Sequence, residues 1–387
     1  MVMQQIFNSF LQRLKFMSIR PEIHFSSVLD HCTKNNQFQC FQGNPLNRLN
    51  LYRKSMQDVI QHSQARFLPF RQLKILFNED KRRPVWLTHE NLFQSPTEDK
   101  LTLDQCELVL LGIGARTLVD RPETLPIDAQ PTKIDSQLLS KFFLASEPTP
   151  DEYIYFALSL PKDYPDTLPG TYMDLRPILP QLSVIDAAVC GQGRALLDWH
   201  ATYQYCGKCG SSTVSSEGGT RRKCTKCNHV IYPRTDPVAI ALVIHSDCER
   251  VLLGRKASFP RSMFTCLAGF IEPGESIPEA CSREVWEESG VVIDTNRTRY
   301  FDSQPWPFLG GQLMIGCHAY AIDETITLHD SELEDCRWFS RKEVGEMIER
   351  SRDQNLDKND QGLRIPPPIA IAHQLIYNWY STPTTNT

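Results

Sequence analysis

Features that mark several protein classes are missing from this sequence of 387 residues. No apolar run approaches the roughly 20 residues that a membrane-spanning helix needs, so we expect no membrane partner. There is no basic excess either, because 41 Lys and Arg face 46 Asp and Glu. The resulting net charge of −5 gives no support for a strong nucleic-acid footprint over the whole chain.

A disulfide framework is also missing, although the chain has 13 cysteines. Four of them form two CxxC pairs, and the others are scattered and odd in number. That usage is typical of thiols in a reducing compartment, so we expect an intracellular protein, in the cytoplasm. Hydrophobic residues are 41% and charged residues 22%, an ordinary globular composition, and the length is enough for two or three domains.

The two ends of the chain bear on localisation. Residues 1–21 contain no acidic residue and three basic ones, with apolar residues at helical spacing. Mitochondrial transit peptides share this pattern, but we favour a short amphipathic helix or an extension ahead of Met17. The final residues, Thr385 to Thr387, do not form an SKL-type peroxisomal address.

Residues 22–200 carry no catalytic signature. Short apolar runs alternate with polar or Pro-rich stretches, which predicts an α+β domain with several strands. Leu182 to His200 is predicted to be helical, and Gly191 to Gly193 are expected to break that helix into two pieces.

Two CxxC knuckles follow, with fourteen residues between them: Cys206 and Cys209, then Cys224 and Cys227. Four thiolates close a tetrahedral Zn²⁺ site without an open position, so we expect one structural zinc per chain. A ribbon of this size gains its folding energy from the metal. His229 lies just past the second knuckle and is expected to be a surface residue, not a ligand.

The stretch from Gly269 to Val291, GFIEPGESIPEACSREVWEESGV, organises the rest of the chain. Ser276 can cap a helix that ends at Gly290. Glu284, Glu287 and Glu288 then share one helical face. Three neighbouring carboxylates repel one another unless a cation lies between them, and hard oxygen ligands favour Mg²⁺ or Mn²⁺ together with substrate phosphates. Arg283 can hold a carboxylate in a fixed orientation.

Buried strands are predicted before and after this stretch, at 238–244, 250–255, 264–268 and 312–321, which fits an α/β/α sandwich with a mixed sheet. Beyond it, Ser303-Gln304-Pro305-Trp306 lies in a segment predicted to be a rigid Pro-flanked loop, where Trp306 could stack on a base. The stretch itself is a complete Nudix box. With the four-cysteine ribbon and SQPW, the sequence resembles the NADH pyrophosphatase family of Nudix hydrolases. The second Pro and the Ser that extend SQPW in the family are missing after Phe308.

The resemblance implies four parts, in the order leader or extension (1–21), Nudix-like α+β domain (22–200), zinc ribbon (201–235) and catalytic Nudix domain (236–387). It implies that Glu332, and through its carbonyl Gly269, join the box glutamates as metal ligands. Glu275 and Arg283 would support them. The implied substrate contacts are Tyr232, Phe270, Gln304, Trp306 and Ala372.

The function expected from these features is hydrolysis of the diphosphate of NADH, and of NAD⁺, to reduced nicotinamide mononucleotide (or its oxidised form) and AMP. Glu287 or Glu288 would be the base, with Glu284 and Glu332 completing the catalytic set. Two alternatives stay open: removal of an NAD cap from RNA 5′ ends, which breaks the same bond, and a dinucleotide sensor without catalysis. A homodimer is expected from the resemblance alone.

Overall fold

The computed structural model describes residues 40–42, 44, 46, 59–93, 101–120, 150–308, 310–329, 332–352 and 362–382. All of them belong to one unit that starts at Phe38. The predicted leader and most of the predicted polar loop at 351–362 lie outside the described residues. Among those residues, no helix is long and apolar enough to cross a membrane.

The N-terminal domain is built on a mixed six-stranded sheet. Its elements are β1 Ala65–Arg71, β2 Lys74–Asn78, β3 Arg83–Pro84, α1 His89–Phe93, β4 Glu107–Ala115, α2 Thr117–Asp120, β5 Glu152–Leu160, β6 Thr171–Met173, α3 Leu175–Ile178 and α4 Val184–Thr202. The strand order is β3-β2-β1-β5-β4, with β6 on β2. The central pair, β1 and β5, is parallel, and both are buried along most of their length because helices or loops cover both faces. Short 3-10 turns lie at Leu103–Gln105 and Leu179–Gln181.

Helix α4 is continuous, so the predicted break at Gly191 to Gly193 is wrong. Ser183 caps its start by accepting a hydrogen bond from the Asp186 backbone N–H. The glycines remain helical because they lie at close packing contacts. A Cβ at Gly193 would be 3.0 Å from Ala157 Cβ, and one at Gly191 would be 2.6 Å from the Phe41 ring. Close packing offsets the roughly 1 kcal/mol that a glycine costs inside a helix.

The ribbon is a three-stranded antiparallel sheet made of β7 Thr213–Ser216, β8 Arg221–Cys224 and β9 Val230–Ile231. The tip of its first hairpin rests on the edge of the N-terminal sheet. There the Leu110 N–H donates to the Gly218 carbonyl at 2.8 Å. Gly219 has φ +75°, and a Cβ there would lie 2.7 Å from the Leu108 carbonyl oxygen, so the contact needs glycine.

The C-terminal domain has a seven-stranded mixed sheet. Its elements are β10 Asp236–Ile244, β11 Arg250–Arg255, β12 Leu267–Phe270, α5 Ile277–Ser289, β13 Val292–Ile293, the 3-10 turn Thr295–Arg297, β14 Arg299–Trp306, β15 Gln312–Asp323, β16 Asp335–Ser340, α6 Arg341–Arg352 and α7 Ile371–Ser381. The strand order is β13-β15-β10-β11-β16, with β12 on β10 and β14 on β15. Among the described strands of this sheet, only β10 and β15 pair in parallel.

Alternation along β10 divides this domain into layers. Ala239, Ala241 and Val243 pack in the cluster that includes α5. Ile240, Leu242 and Ile244 pack in the opposite cluster with α6 and α7. The predicted α/β/α sandwich is therefore confirmed, as is the α+β class of the chain.

The SQPW segment is not a loop, and that prediction is wrong. Ser303 to Trp306 form the end of β14 and pair with residues 312–315 of β15. Pro305 is tolerated because β14 is paired on one side only among the described strands, and an edge strand can lack a backbone donor.

Candidate active site

Helix α5 has defined ends that fix the register of its carboxylates. At its start the Glu279 carboxylate accepts the Ser276 backbone N–H at 2.8 Å, forming a capping box. At its end Gly290 adopts φ +74°, a left-handed conformation that suits glycine. The last two turns then carry Glu284, Glu287 and Glu288.

Arg283 ties this helix to the loop before it. Its Nε and Nη2 donate to the two oxygens of Glu275 at 2.6 and 2.8 Å. Nη1 donates to Glu284 at 2.7 Å and to Glu287 at 2.9 Å, and Nη2 also reaches the Phe270 carbonyl at 2.8 Å. The Arg283 guanidinium lowers the pKa of Glu275 to about 2. Through these bonds Arg283 and Glu275 join the helix to the loop before it.

Gly269 makes room for Glu284. A Cβ at position 269 would lie 2.0 Å from the Glu284 carboxyl carbon and one of its oxygens. The carboxyl group therefore lies directly against the Gly269 backbone. Burial raises the pKa of Glu284 above its usual range.

Glu288 is the most deeply buried of the box glutamates, with a side chain 2% exposed. Its Oε2 has no hydrogen-bond partner among the described residues. Burial raises the pKa of Glu288 to about 7. A buried carboxylate oxygen without a donor is costly, and it is expected where a ligand supplies the missing partner.

Lys256 was not predicted from the sequence, yet it connects two of the predicted metal ligands. Its Nζ lies 3.6 Å from Glu288 Oε1 and forms an ion pair with Glu332. The sequence offers only a weak signal for Lys256, namely that it is a basic residue directly after the strand β11. Glu332 is half-exposed and comes to the site through this contact.

The four carboxylates pair with two basic side chains. Arg283 pairs with Glu284 and Glu287. Lys256 pairs with Glu288 and Glu332. They do not converge on one point, since only the four cysteines have ligand atoms that all lie within 4.8 Å of one another in the described part of the chain. The donor set still fits a divalent cation, because it offers hard oxygens, one of them buried and unpartnered.

The four predicted zinc ligands do converge. The Sγ atoms of Cys206 and Cys227 are 3.7 Å apart, and those of Cys209 and Cys224 are 3.5 Å apart. Four sulfurs about 2.3 Å from a tetrahedral zinc would be separated by about 3.8 Å, so the cluster fits zinc. His229 is exposed and outside the cluster, in line with the prediction.

The predicted substrate residues fall into two groups. Tyr232 and Phe270 are large aromatic side chains that are 60% and 53% exposed, as a stacking surface requires. Ala372 is buried at the start of α7. Trp306 is half-buried and packs edge-to-face on Phe308, with ring centroids 5.2 Å apart.

Gln304 differs from the expectation that it hydrogen-bonds a base. Its side chain is 1% exposed. Its Nε2 donates to the carbonyls of Cys40 and Ile369, both at 2.9 Å, and its Oε1 accepts the Ile371 N–H at 2.9 Å. Because both polar ends of the amide are engaged with the main chain, Gln304 joins three segments here and does not present its amide to a ligand.

Comparison with known families matches three consecutive parts of the chain. Residues 64–199 match the "NADH pyrophosphatase-like rudimentary NUDIX domain", residues 201–232 the "NADH pyrophosphatase zinc ribbon domain" and residues 235–358 the "NUDIX domain".

Curated relatives carry two kinds of name. "NAD-capped RNA hydrolase NUDT12" from Macaca fascicularis is 45% identical over 211 residues, 52% of this chain and 44% of that protein. "NAD(P)H pyrophosphatase NUDT13, mitochondrial" from Homo sapiens is 39% identical over 238 residues, 60% of this chain and 66% of that protein. "NAD-capped RNA hydrolase" from Schizosaccharomyces pombe is 38% identical, covering 54% and 58%. The chain thus spans less than two thirds of the length of each of these relatives.

Proposed function

We infer that this chain, which belongs to the NADH pyrophosphatase family of Nudix hydrolases, hydrolyses the diphosphate of NADH, and of NAD⁺, to AMP and the corresponding nicotinamide mononucleotide. One observation carries the proposal. Glu288 is buried with an unpartnered oxygen beside a half-exposed Glu287 and a Glu284 that lies on Gly269. A helix face that served only solubility would not bury one of its acids.

Glu284, Glu287, Glu288 and Glu332 would hold Mg²⁺ or Mn²⁺, with the Gly269 carbonyl as a further ligand. When bound, these ions supply positive charge against the diphosphate and lower the pKa of water. Arg283 fixes Glu284 and Glu287 in orientation, so they need not reorganise when substrate arrives. Glu287 or Glu288 takes the proton of the attacking water.

Tyr232 and Phe270 would stack on a base of the dinucleotide. Such stacking contributes on the order of 1–3 kcal/mol per base. Trp306 adds a further aromatic surface at the end of β14, and Ala372 would contact the substrate from the start of α7. The intact carboxylate set disfavours a sensor without catalysis, since a sensor has no use for every ligand.

A specific observation favours NAD-capped RNA as a second substrate. Five of the six charged side chains between residues 201 and 232 are basic, although the whole chain is acidic. Lys208, Lys223 and Lys226 are exposed, and the ribbon ends at Tyr232, a proposed base contact. An RNA strand that leaves the cap could therefore run over a locally basic surface. Two of the relatives are named for this activity.

The test is a side-by-side steady-state assay on NADH, NAD⁺, ADP-ribose, diadenosine polyphosphates and NAD-capped RNA, with Mg²⁺ and with Mn²⁺. The proposal expects the highest kcat/KM for NADH, with AMP as one product. A clear preference for diadenosine polyphosphates or ADP-ribose would overturn it. We also propose a homodimer in the cytoplasm, tested by mass measurement in solution and by imaging of the full-length protein. A mitochondrial location is the alternative.

A further inference from the structure

The end of strand β14 is covered by residues of the N-terminal domain and the segment that precedes it. The Phe41 ring packs edge-to-face on Trp306, with centroids 6.1 Å apart and planes at 86°. It packs in the same way on Phe308 at 5.8 Å. Phe41 is 4% exposed, so one side of the Trp306 indole rests on a buried ring that the catalytic domain does not supply.

The main chain around Phe41 is held on both sides. The Cys40 N–H donates to the Ile369 carbonyl at 3.1 Å, and the Cys40 carbonyl accepts from Gln304 at 2.9 Å. On the other side, the Gln42 amide donates to the Ser303 carbonyl. Phe41 has φ +70°, a left-handed conformation that is unfavourable for a bulky residue and persists only when its surroundings enforce it.

Helix α4 forms the support beneath this contact. Gly191, Arg194 and Asp198 lie at i, i+3 and i+7, on one helical face. A Cβ at Gly191 would lie 2.6 Å from Phe41 Cδ1 and 3.2 Å from Pro307 Cγ. Arg194 donates to the Pro307 carbonyl, and Asp198 accepts the Gly310 N–H at 3.2 Å.

We propose that the N-terminal domain is a specificity-determining element of the catalytic domain: through Gly191 and Phe41 it positions Trp306 for the second base of a dinucleotide. The proposal rests on the proposed function. The alternative is that these contacts only join two domains. A small displacement of Trp306 distinguishes the two possibilities. If the contacts position Trp306, the displacement lowers kcat/KM for dinucleotides selectively. If they only join the domains, it changes the stability of the protein alone.

The perturbation is Gly191→Ala, and Gly193→Ala is its matched control. Both glycines lie in α4, and alanine favours a helix over glycine at either site by roughly 1 kcal/mol. The new methyl at 191 pushes on Phe41 and Pro307, whereas the nearest neighbours of the one at 193 are Ala157 and Phe70 inside the N-terminal domain. The first displacement thus acts directly on Pro307, next to Trp306, and the second acts on the core of the N-terminal domain.

For Gly191→Ala we expect the ratio of kcat/KM for NADH to that for ADP-ribose to fall by roughly 5- to 150-fold, the scale of losing one stacked base. Most of the loss should appear in the KM for NADH, because stacking binds substrate and transition state alike. Gly193→Ala should keep the wild-type ratio. Phe41→Leu, which removes the ring and keeps an apolar side chain, should repeat the effect of Gly191→Ala.

A second readout separates this proposal from the proposed function. NADH binding is titrated by its own fluorescence in the absence of added divalent cations, and thermal unfolding checks that each variant is folded. If the wild type hydrolyses no dinucleotide, the proposed function fails, yet weaker NADH binding by Gly191→Ala than by Gly193→Ala still supports the positioning role. If both variants keep the wild-type affinity and substrate ratio, or lose them equally, the positioning role is wrong. Should Gly191→Ala fail to fold, Phe41→Leu decides the question by the same criteria.

Discussion

Glu288→Gln should stabilise the protein that is free of added divalent cations while it destroys activity. The substitution keeps the volume of a side chain that is 2% exposed and removes its ionisation. In the wild type, burial raises the pKa of this carboxyl from 4.5 to about 7. Lys256, 3.6 Å from Oε1, therefore compensates the ionised carboxylate only in part, and a bound cation would supply the rest.

The direction and size of this stabilisation follow from the linkage between protonation and folding. A carboxyl group whose pKa is higher in the folded state contributes stability that is complete below its unfolded pKa of 4.5 and is lost as the pH rises through about 7. One pKa unit corresponds to about 1.4 kcal/mol, so the pH-dependent loss is about 3 kcal/mol between pH 4.5 and pH 8. Glutamine has no such loss. The variant should come within about 1 kcal/mol of the wild type at pH 5 and exceed it by up to about 3 kcal/mol at pH 8.

The assay is urea unfolding of both proteins at pH 5 and pH 8, after dialysis against buffer free of divalent cations. The contribution of other titrating groups cancels in the comparison. Adding Mg²⁺ at pH 8 should stabilise the wild type more than the variant, because a ligand stabilises the state that binds it. Equal stability at pH 8, or a variant less stable than the wild type there, would refute the claim that the buried charge of Glu288 is incompletely compensated.

Substitutions at other residues of the metal site, in the zinc ribbon and at Trp306 should have distinct effects. Gly269→Ala brings a methyl to within 2.0 Å of the Glu284 carboxyl, and displacing that group by over 1 Å should lower kcat by ~10²-fold. In the background of Glu284→Ala, Gly269→Ala should lower kcat no further. If the two losses in kcat add, Gly269 does not act through Glu284. Glu287→Gln should lower kcat at least ~10²-fold with unchanged folding, as measured by initial rates and thermal unfolding. The four-cysteine site predicts about one zinc per chain in the wild type, and Cys206→Ser should lower both this zinc content and the unfolding temperature. A stable wild-type protein with less than a tenth of that zinc would contradict the ribbon site. Trp306→Ala should lower kcat/KM for NADH roughly 5- to 150-fold more than that for ADP-ribose, and an equal loss would make Trp306 a packing residue.

The sequence was sufficient to predict those parts of the structure in which the residue types and their spacing indicate the same arrangement. Arg283 and the box glutamates are fixed by helical periodicity, and a cap and a terminal glycine define that helix at both ends. The zinc site follows from two knuckles that can close only on each other. Local pattern and tertiary structure agree in both cases, so short-range reasoning was enough for the helix ends and for the clustering of the four cysteines.

The features that were missed depend on partners far away in sequence. Gly191 looks like a helix breaker until Phe41, about 150 residues earlier, is found against it. Pro305 suggests a loop until β15 takes up β14 as an edge strand. Gln304 looks available for a ligand because its main-chain partners, near Cys40 and Ile369, are invisible in the local pattern. Lys256 has no motif and enters the site only through the folding of β11.

The most direct test of the central claim is the rate of AMP formation from NADH by the wild type, Glu287→Gln and Glu288→Gln, with and without Mg²⁺ or Mn²⁺. The proposed mechanism predicts AMP and reduced nicotinamide mononucleotide in equal amounts, formed only with the divalent cation, and a loss of at least ~10²-fold in each variant. Wild-type turnover in both variants, or cation-independent AMP formation, would contradict it.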